Sequence, residues 1–202
     1  MSTDKKTIFL IVGQTASGKD SLVNAMCQIE KPPIQDIFGD IWFQGKYKQL
    51  ISYTTRPRRK NEGNTHIFIQ PNEVEQYKDQ IIAYTKIGDY EYFATKDQLK
   101  ECDFYIIDYM GIQTLRLHNL DDEFRFVTIY INTPDKIRKQ RALQNRKDNA
   151  KVFNERNLKE EFQFDIMKKR ADFDYSISNI DFDKAFKIFK YIVQIELNEH
   201  KE

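Results

Sequence analysis

The sequence has only two cysteines in 202 residues, Cys27 and Cys102, set far apart. So few allow neither a disulfide framework nor a cysteine zinc site. They read as free thiols in a reducing compartment. Three histidines, His66, His118 and His200, are scattered and match no metal-binding spacing. Net charge is almost nil, with 32 Lys and Arg against 31 Asp and Glu, for +1. No bulk field therefore draws the chain to nucleic acid or to an anionic membrane. No stretch approaches the ~18 apolar residues of a membrane span. The apolar run before Gly13 is too short for a signal peptide. There is no internal repeat and no low-complexity linker. The expectation is a cytoplasmic protein without nucleic-acid or membrane partners.

Hydrophobic residues make up 40% and charged ones 31%, the balance of a folded globular chain. At 202 residues it is long enough for one domain, or one core with an insertion. Aromatics are frequent at 13%, serving either as core or as a stacking surface for a base.

Ile8 to Val12 is a continuous apolar run, as in a parallel strand buried on both faces. Similar runs recur at Phe104 to Ile107, Phe126 to Ile131 and Tyr175 to Ser178. Helical patterns separate them: from Gly18 to Pro32, then Ile112 to Leu120, Pro134 to Arg146, Glu155 to Ala171 and Asp181 to Leu197. This alternation predicts a parallel sheet with right-handed crossovers. From about 34 to 96 the rhythm breaks into short strands, a short helix and a hairpin turning at Gly88-Asp89, a small mixed or antiparallel insertion. The segment from Arg138 to Arg156 is dense in Arg, Lys, Asn and Gln. It reads as a solvated helical hairpin or as a mobile lid.

Gly13-Gln14-Thr15-Ala16-Ser17-Gly18-Lys19-Asp20 fits G-x-x-x-x-G-K between a strand and a helix. Backbone N–H groups and the helix N-terminus of such a loop cradle phosphates, and Lys19 reaches the terminal ones. The last position is Asp20 followed by Ser21, where Ser or Thr is usual. A carboxylate is still a hard-oxygen partner for Mg²⁺, directly or through water. The chain is expected to bind a nucleoside triphosphate with Mg²⁺ through Gly13, Ser17, Gly18, Lys19, Asp20 and Ser21.

Ser52-Tyr53-Thr54-Thr55-Arg56-Pro57-Arg58-Arg59-Lys60-Asn61-Glu62 places arginines and hydroxyls in a proline-stiffened segment. Guanidinium forks bind phosphate bidentately, so a second anionic ligand is implied. Here the chain resembles the guanylate kinase family, from about Lys6 to Ile192. Ser-x-Thr-Thr-Arg-x-x-Arg-x-x-Glu is that family's monophosphate signature. The resemblance implies an α/β P-loop nucleoside monophosphate kinase core with a parallel sheet, a mixed α/β NMP-binding insertion and a helical lid. As a single domain over 1–202, it would divide into a core at about 1–33, 97–136 and 157–202, an insertion at 34–96 and a lid at 137–156. It also implies a transferase that phosphorylates a nucleoside monophosphate, GMP or dGMP, from ATP.

By the same resemblance Ser52, Arg56 and Arg59 grip the monophosphate and Glu62 orients an arginine. His66 falls where the family carries a phosphate-binding tyrosine, and is either a ligand or a loop residue. Tyr92 and Thr95 match a Tyr-Tyr-Gly-Ser/Thr turn, with Phe93 in place of one tyrosine; Tyr92 and Phe93 serve substrate or strand packing. Asp108 matches an acidic position beside substrate and metal. Arg141, Arg146 and Arg156 resemble lid arginines that act on the transferring group, with Arg138 an alternative to Arg141. Asn179 matches the adenine pocket or caps the following helix. The family's guanine-reading glutamate is absent, replaced by Ala83 or Tyr84. That opens a second reading, another (deoxy)nucleoside monophosphate. A third is a binding module without catalysis. Oligomeric state is not readable.

Overall fold

The computed structural model of the protein describes residues 5–35, 41–42, 44–59, 62–145 and 149–198. Four parallel strands form the central sheet: β1 (Lys6–Val12), β8 (Phe104–Ile106), β9 (Phe124–Asn132) and β10 (Tyr175–Ser178), in the order β10-β9-β1-β8. Phe9 pairs with Phe104 on one side and Val127 on the other. Alternation along β1 splits the core in two. Ile8, Leu10 and Val12 pack with Ile112, Leu115, Phe164 and Met167 of α3 (Tyr109–Arg116) and α5 (Ala150–Arg170). Phe9 and Ile11 pack with Leu22, Val23, Phe189 and Val193 of α1 (Lys19–Met26) and α6 (Phe182–Asn198). Helices on both faces are why β1 carries no polar alternation. This is the parallel α/β core expected from the apolar runs.

The chain steps from β1 to β8 on one side, then crosses to β9 and β10 on the other. Strand order thus reverses at β1. The crevice beyond the carboxyl ends of β1 and β9 is where such sheets bind ligands.

A second sheet has the order β5-β4-β7-β6, built from β4 (Tyr53–Thr54), β5 (Ile67–Phe68), β6 (Ile81–Ile87) and β7 (Tyr90–Thr95). It is mixed: β4 and β5 run parallel, the other pairs antiparallel. The β6–β7 hairpin turns at Gly88, whose φ of 63° is left-handed. Two short strands, β2 (Ile34–Gln35) and β3 (Ile41–Trp42), pair nearby in the chain, and a 3-10 helix spans Pro71–Gln80. Hydrogen bonds from β6 and from the segment entering β4 fasten the second sheet to the core. Thr114 Oγ1 of α3 accepts from Tyr84 N–H at 2.9 Å and donates to Tyr84 O at 3.1 Å. Leu50 N–H donates to Phe104 O at 2.7 Å.

Several helix bounds differ from the periodicity. α3 begins at Tyr109, three residues before the first apolar repeat, because Asp108 caps it by accepting from Gly111 N–H at 2.7 Å. α2 (Lys96–Glu101) was not legible as a helix; a reciprocal Thr95–Gln98 capping box starts it. The predicted helix from Pro134 is α4 (Asp135–Gln140) followed by a π-helical turn over Arg141–Asn145. α5 starts at Ala150, capped by Asn149, and runs unbroken for 21 residues. The expected division between lid and core at 156/157 falls inside it. No helix among the described residues is long and apolar enough to cross a membrane.

Candidate functional site

Residues 13–18 leave β1 at the switch point and turn into α1. Gly13 is closely walled: a Cβ there would lie 2.7 Å from Ile131 O. Gly18 has φ 93° and ψ 19°, and a Cβ would lie 2.4 Å from Asn179 Nδ2. Both glycines are therefore required sterically, the second also conformationally. Ser17 O accepts from Asn179 Nδ2 at 2.8 Å, Thr133 Oγ1 at 3.0 Å and Arg141 Nη1 at 3.3 Å. Lys19 Nζ folds back onto Gly13 O at 2.5 Å and Gln14 O at 3.2 Å. Ser17 Oγ and Asn179 Oδ1 are buried polar atoms with no protein partner. Asp20 and Ser21, exposed on the first turn of α1, face the adjoining cleft.

That cleft has a volume of about 820 Å³. Its other wall carries Ser52, Arg56, Arg59, His66 and Tyr92. Arg56 is 8% exposed and forks onto Glu62, with Nη1–Oε2 at 3.0 Å and Nη2–Oε1 at 2.7 Å. Glu62 also accepts from Arg59 N–H at 2.9 Å and Thr65 Oγ1 at 2.7 Å. The Arg56 guanidinium, with these donors, holds the Glu62 carboxyl far below the usual range. Glu62 in return raises the Arg56 pKa, so the fork stays charged. His66 Nδ1 lies 3.1 Å from Ser52 Oγ, and its ring meets Tyr92 edge-on at 5.5 Å. Burial, then Arg56, push His66 below its ordinary pKa, which favours a neutral ring. Burial lowers Arg59 too, followed by repulsion from Arg156 on α5 and from Arg56. Cations from two different elements thus converge on one space.

The remaining predicted positions divide between the cleft and the protein interior. Arg141 lines the cleft beside the phosphate loop, where Nη2 also reaches Ile180 O at 3.3 Å. Arg138 is fully buried and does not line the cleft. Its guanidinium ties Thr15 O at 3.2 Å, Thr133 O at 3.2 Å, Asn157 Oδ1 at 2.6 Å and Asp135 into one strut. Arg146 lies outside the described residues. Asn179 lines the cleft, while the cap of α6 is Asp181, whose Oδ1 accepts from Lys184 N–H at 3.0 Å. Thr95 is 3% exposed and caps α2 rather than lining the cleft. Phe93 is buried and stacks on Tyr53 at 5.1 Å. Asp108, capping α3, also accepts from Thr85 Oγ1 at 2.9 Å, and burial raises its pKa. Ala83 is buried, and the Tyr84 phenol donates to Glu91 Oε1 at 2.7 Å.

One charged group at the loop carried no signal in the sequence. Glu160 Oε2, on α5, accepts from Thr15 N–H at 2.6 Å across 145 positions. Asn24, Gln49 and Phe182 also line the cleft without a motif to announce them.

Known proteins resemble this chain over nearly its whole length. The guanylate kinase family model matches residues 5–196. The guanylate kinase of Photobacterium profundum is 27% identical over 203 residues, covering 95% of this chain and 88% of the relative. That of Sodalis glossinidius is 25% identical over 201 residues, covering 94% and 88%. A crystal structure of guanylate kinase from Anaplasma phagocytophilum shares the fold, with a TM-score of 0.58 at 18% identity, covering 95% of this chain and 87% of that one. With a phosphate loop at the sheet's switch point, an arginine cradle opposite it and a family match across nearly the whole length, the chain belongs to the guanylate kinase family.

Proposed function

We propose that the protein transfers the γ-phosphoryl group of ATP to the phosphate of GMP or dGMP. The observation that carries this is the pair of anion cradles facing one another across one cleft. Gly18, Asp20, Ser21, Arg141 and Asn179 are on one wall, and Ser52, Arg56, Arg59, His66 and Tyr92 on the other. Two phosphorylated ligands meeting there would have their terminal phosphates in line.

An acceptor phosphate oxygen would attack the γ-phosphorus while the bond to the β–γ bridging oxygen breaks, releasing ADP. The acceptor is already anionic, so no general base is needed. The protein's work is alignment and charge neutralisation. Lys19 would span the terminal phosphates of the donor. Ser52, Arg56 and Arg59 would hold the acceptor, with Glu62 fixing the plane of Arg56. Arg141 and Arg156, with Arg146, would offset charge on the group in transit. Arg59 and Arg156 repel one another as they stand, and an anion between them would relieve that repulsion. The donor set also fits Mg²⁺. Asp20 and Ser21 present hard oxygens to the cleft, and the loop before them carries the buried, unpartnered Ser17 Oγ. Bound there, the ion would neutralise donor phosphate charge.

A second reading rests on Ala83 and Tyr84. Neither presents a carboxylate to a guanine edge; the polar pairs at this strand are Thr85 with Asp108 and Tyr84 with Glu91. It assigns another (deoxy)nucleoside monophosphate as acceptor. A coupled ADP-release assay across GMP, dGMP, AMP, CMP, UMP and dTMP separates the two. Turnover should be highest with GMP or dGMP, and Lys19→Ala should abolish it with an unchanged circular dichroism spectrum. Preference for another base establishes the second reading. Silence with every acceptor, despite ATP binding, leaves a non-catalytic binding module.

A further inference from the structure

We infer that Glu160 is a positioning residue that occupies the phosphate loop in place of the nucleotide and must yield when a triphosphate binds. The inference rests on the reading of residues 13–19 as a nucleotide loop. Backbone N–H groups of such a loop point at an anion. Here the Thr15 N–H already holds one, the Glu160 carboxylate at 2.6 Å. Burial raises the Glu160 pKa, while the Thr15 N–H, Lys19, Arg138 and Arg156 oppose that rise. These are the charged groups whose fields reach it. The carboxylate is thus an anion already seated on a loop N–H of the kind that receives phosphate.

Its place along the loop identifies which phosphate it opposes. Lys19 Nζ rests on Gly13 O and Gln14 O, next to Thr15. That ammonium serves the terminal phosphates. Glu160 therefore sits at the γ end, where ATP extends and ADP does not. The contact also couples the loop to α5. Arg138 holds the Thr15 carbonyl at 3.2 Å and Asn157 at 2.6 Å, so Thr15 is clamped at its N–H and at its carbonyl by groups tied to that helix. A γ-phosphate entering the loop would displace Glu160 and release one side of the clamp.

The test is Glu160→Gln, titrated calorimetrically with ATP and with ADP in the absence of acceptor. Gln retains an acceptor for the Thr15 N–H and removes only the charge. ATP should bind roughly 10-fold more tightly, from the loss of one like-charge repulsion at short range, and ADP should change much less. Glu160→Ala should reproduce the shift in the ATP-to-ADP affinity ratio, with circular dichroism confirming the fold. An unchanged ratio in both variants, with only thermal stability altered, would make Glu160 a structural staple and overturn the inference. If the wild type binds neither nucleotide, the loop reading fails and takes this one with it.

Discussion

Gly18→Ala is the substitution whose outcome the structure constrains most tightly. The position combines a φ of 93° with an Asn179 Nδ2 standing 2.4 Å from where the new Cβ would be. Forcing an L side chain into left-handed backbone costs ~1–2 kcal/mol. The methyl group also pushes Asn179 off Ser17 O, a 2.8 Å bond worth about 1 kcal/mol net. That carbonyl is not orphaned, because Thr133 Oγ1 and Arg141 Nη1 still serve it. The single variant should therefore lose about 2–3 kcal/mol, read as a lower urea midpoint at constant m-value. Asn179→Ala alone should lose about 1 kcal/mol. It also clears the space, so the double variant should be roughly 1 kcal/mol better than the sum of the singles. Strict additivity, within ~0.3–0.5 kcal/mol, would refute the claim that Asn179 is what Gly18 makes room for.

Arg138→Ala and Arg141→Ala should fail in opposite ways. Removing the fully buried Arg138 strut should cost about 3–5 kcal/mol of stability in a thermal melt. Removing the cleft-lining Arg141 should leave the melt nearly unchanged and lower kcat on the order of 10³-fold; equal melting losses in the two would sink the distinction. For Glu62, the folded pKa lies below the unfolded value, so its contribution to stability is present above about pH 4.3 and is lost as pH falls through the folded value. Glu62→Gln should be less stable than wild type at neutral pH, and the gap should narrow on acidification from about pH 5 to 3. A gap that widens over that range would contradict the Arg56 fork as its source.

What was legible in the sequence is what chemistry writes locally. β1, β8 and most of β9 are buried by helices on both faces, which leaves apolar runs, whereas the edge strand β10 buries Ile177 and exposes Ser176 and Ser178, so its expected burial on both faces does not hold. The phosphate loop and the Arg56–Glu62 pair each lie within a few residues of chain. Contacts across long separations left no trace: Glu160 is one carboxylate among many on a charged helix until folding lays it on Thr15. Arg138 and Arg141 are alike in sequence because one helical turn separates strut from cleft. Helix starts were missed where a cap, not an apolar repeat, sets the boundary, as at Asp108 and Thr95. Phe93 illustrates another limit. A strand residue faces one side or the other by parity, and only its stacking on Tyr53 shows that it belongs to packing.

Tyr84 and Thr85 of β6 bond to Thr114 and Asp108, and Leu50, just ahead of β4, bonds to Phe104. The second sheet is therefore held to the core both along one outer strand and where the chain enters it. Any tilt between the two sheets has to bend or break these bonds. The spacing between the arginine-bearing wall and the phosphate loop is thus set by the fold itself, a fixed gauge whose width a ligand meets rather than makes.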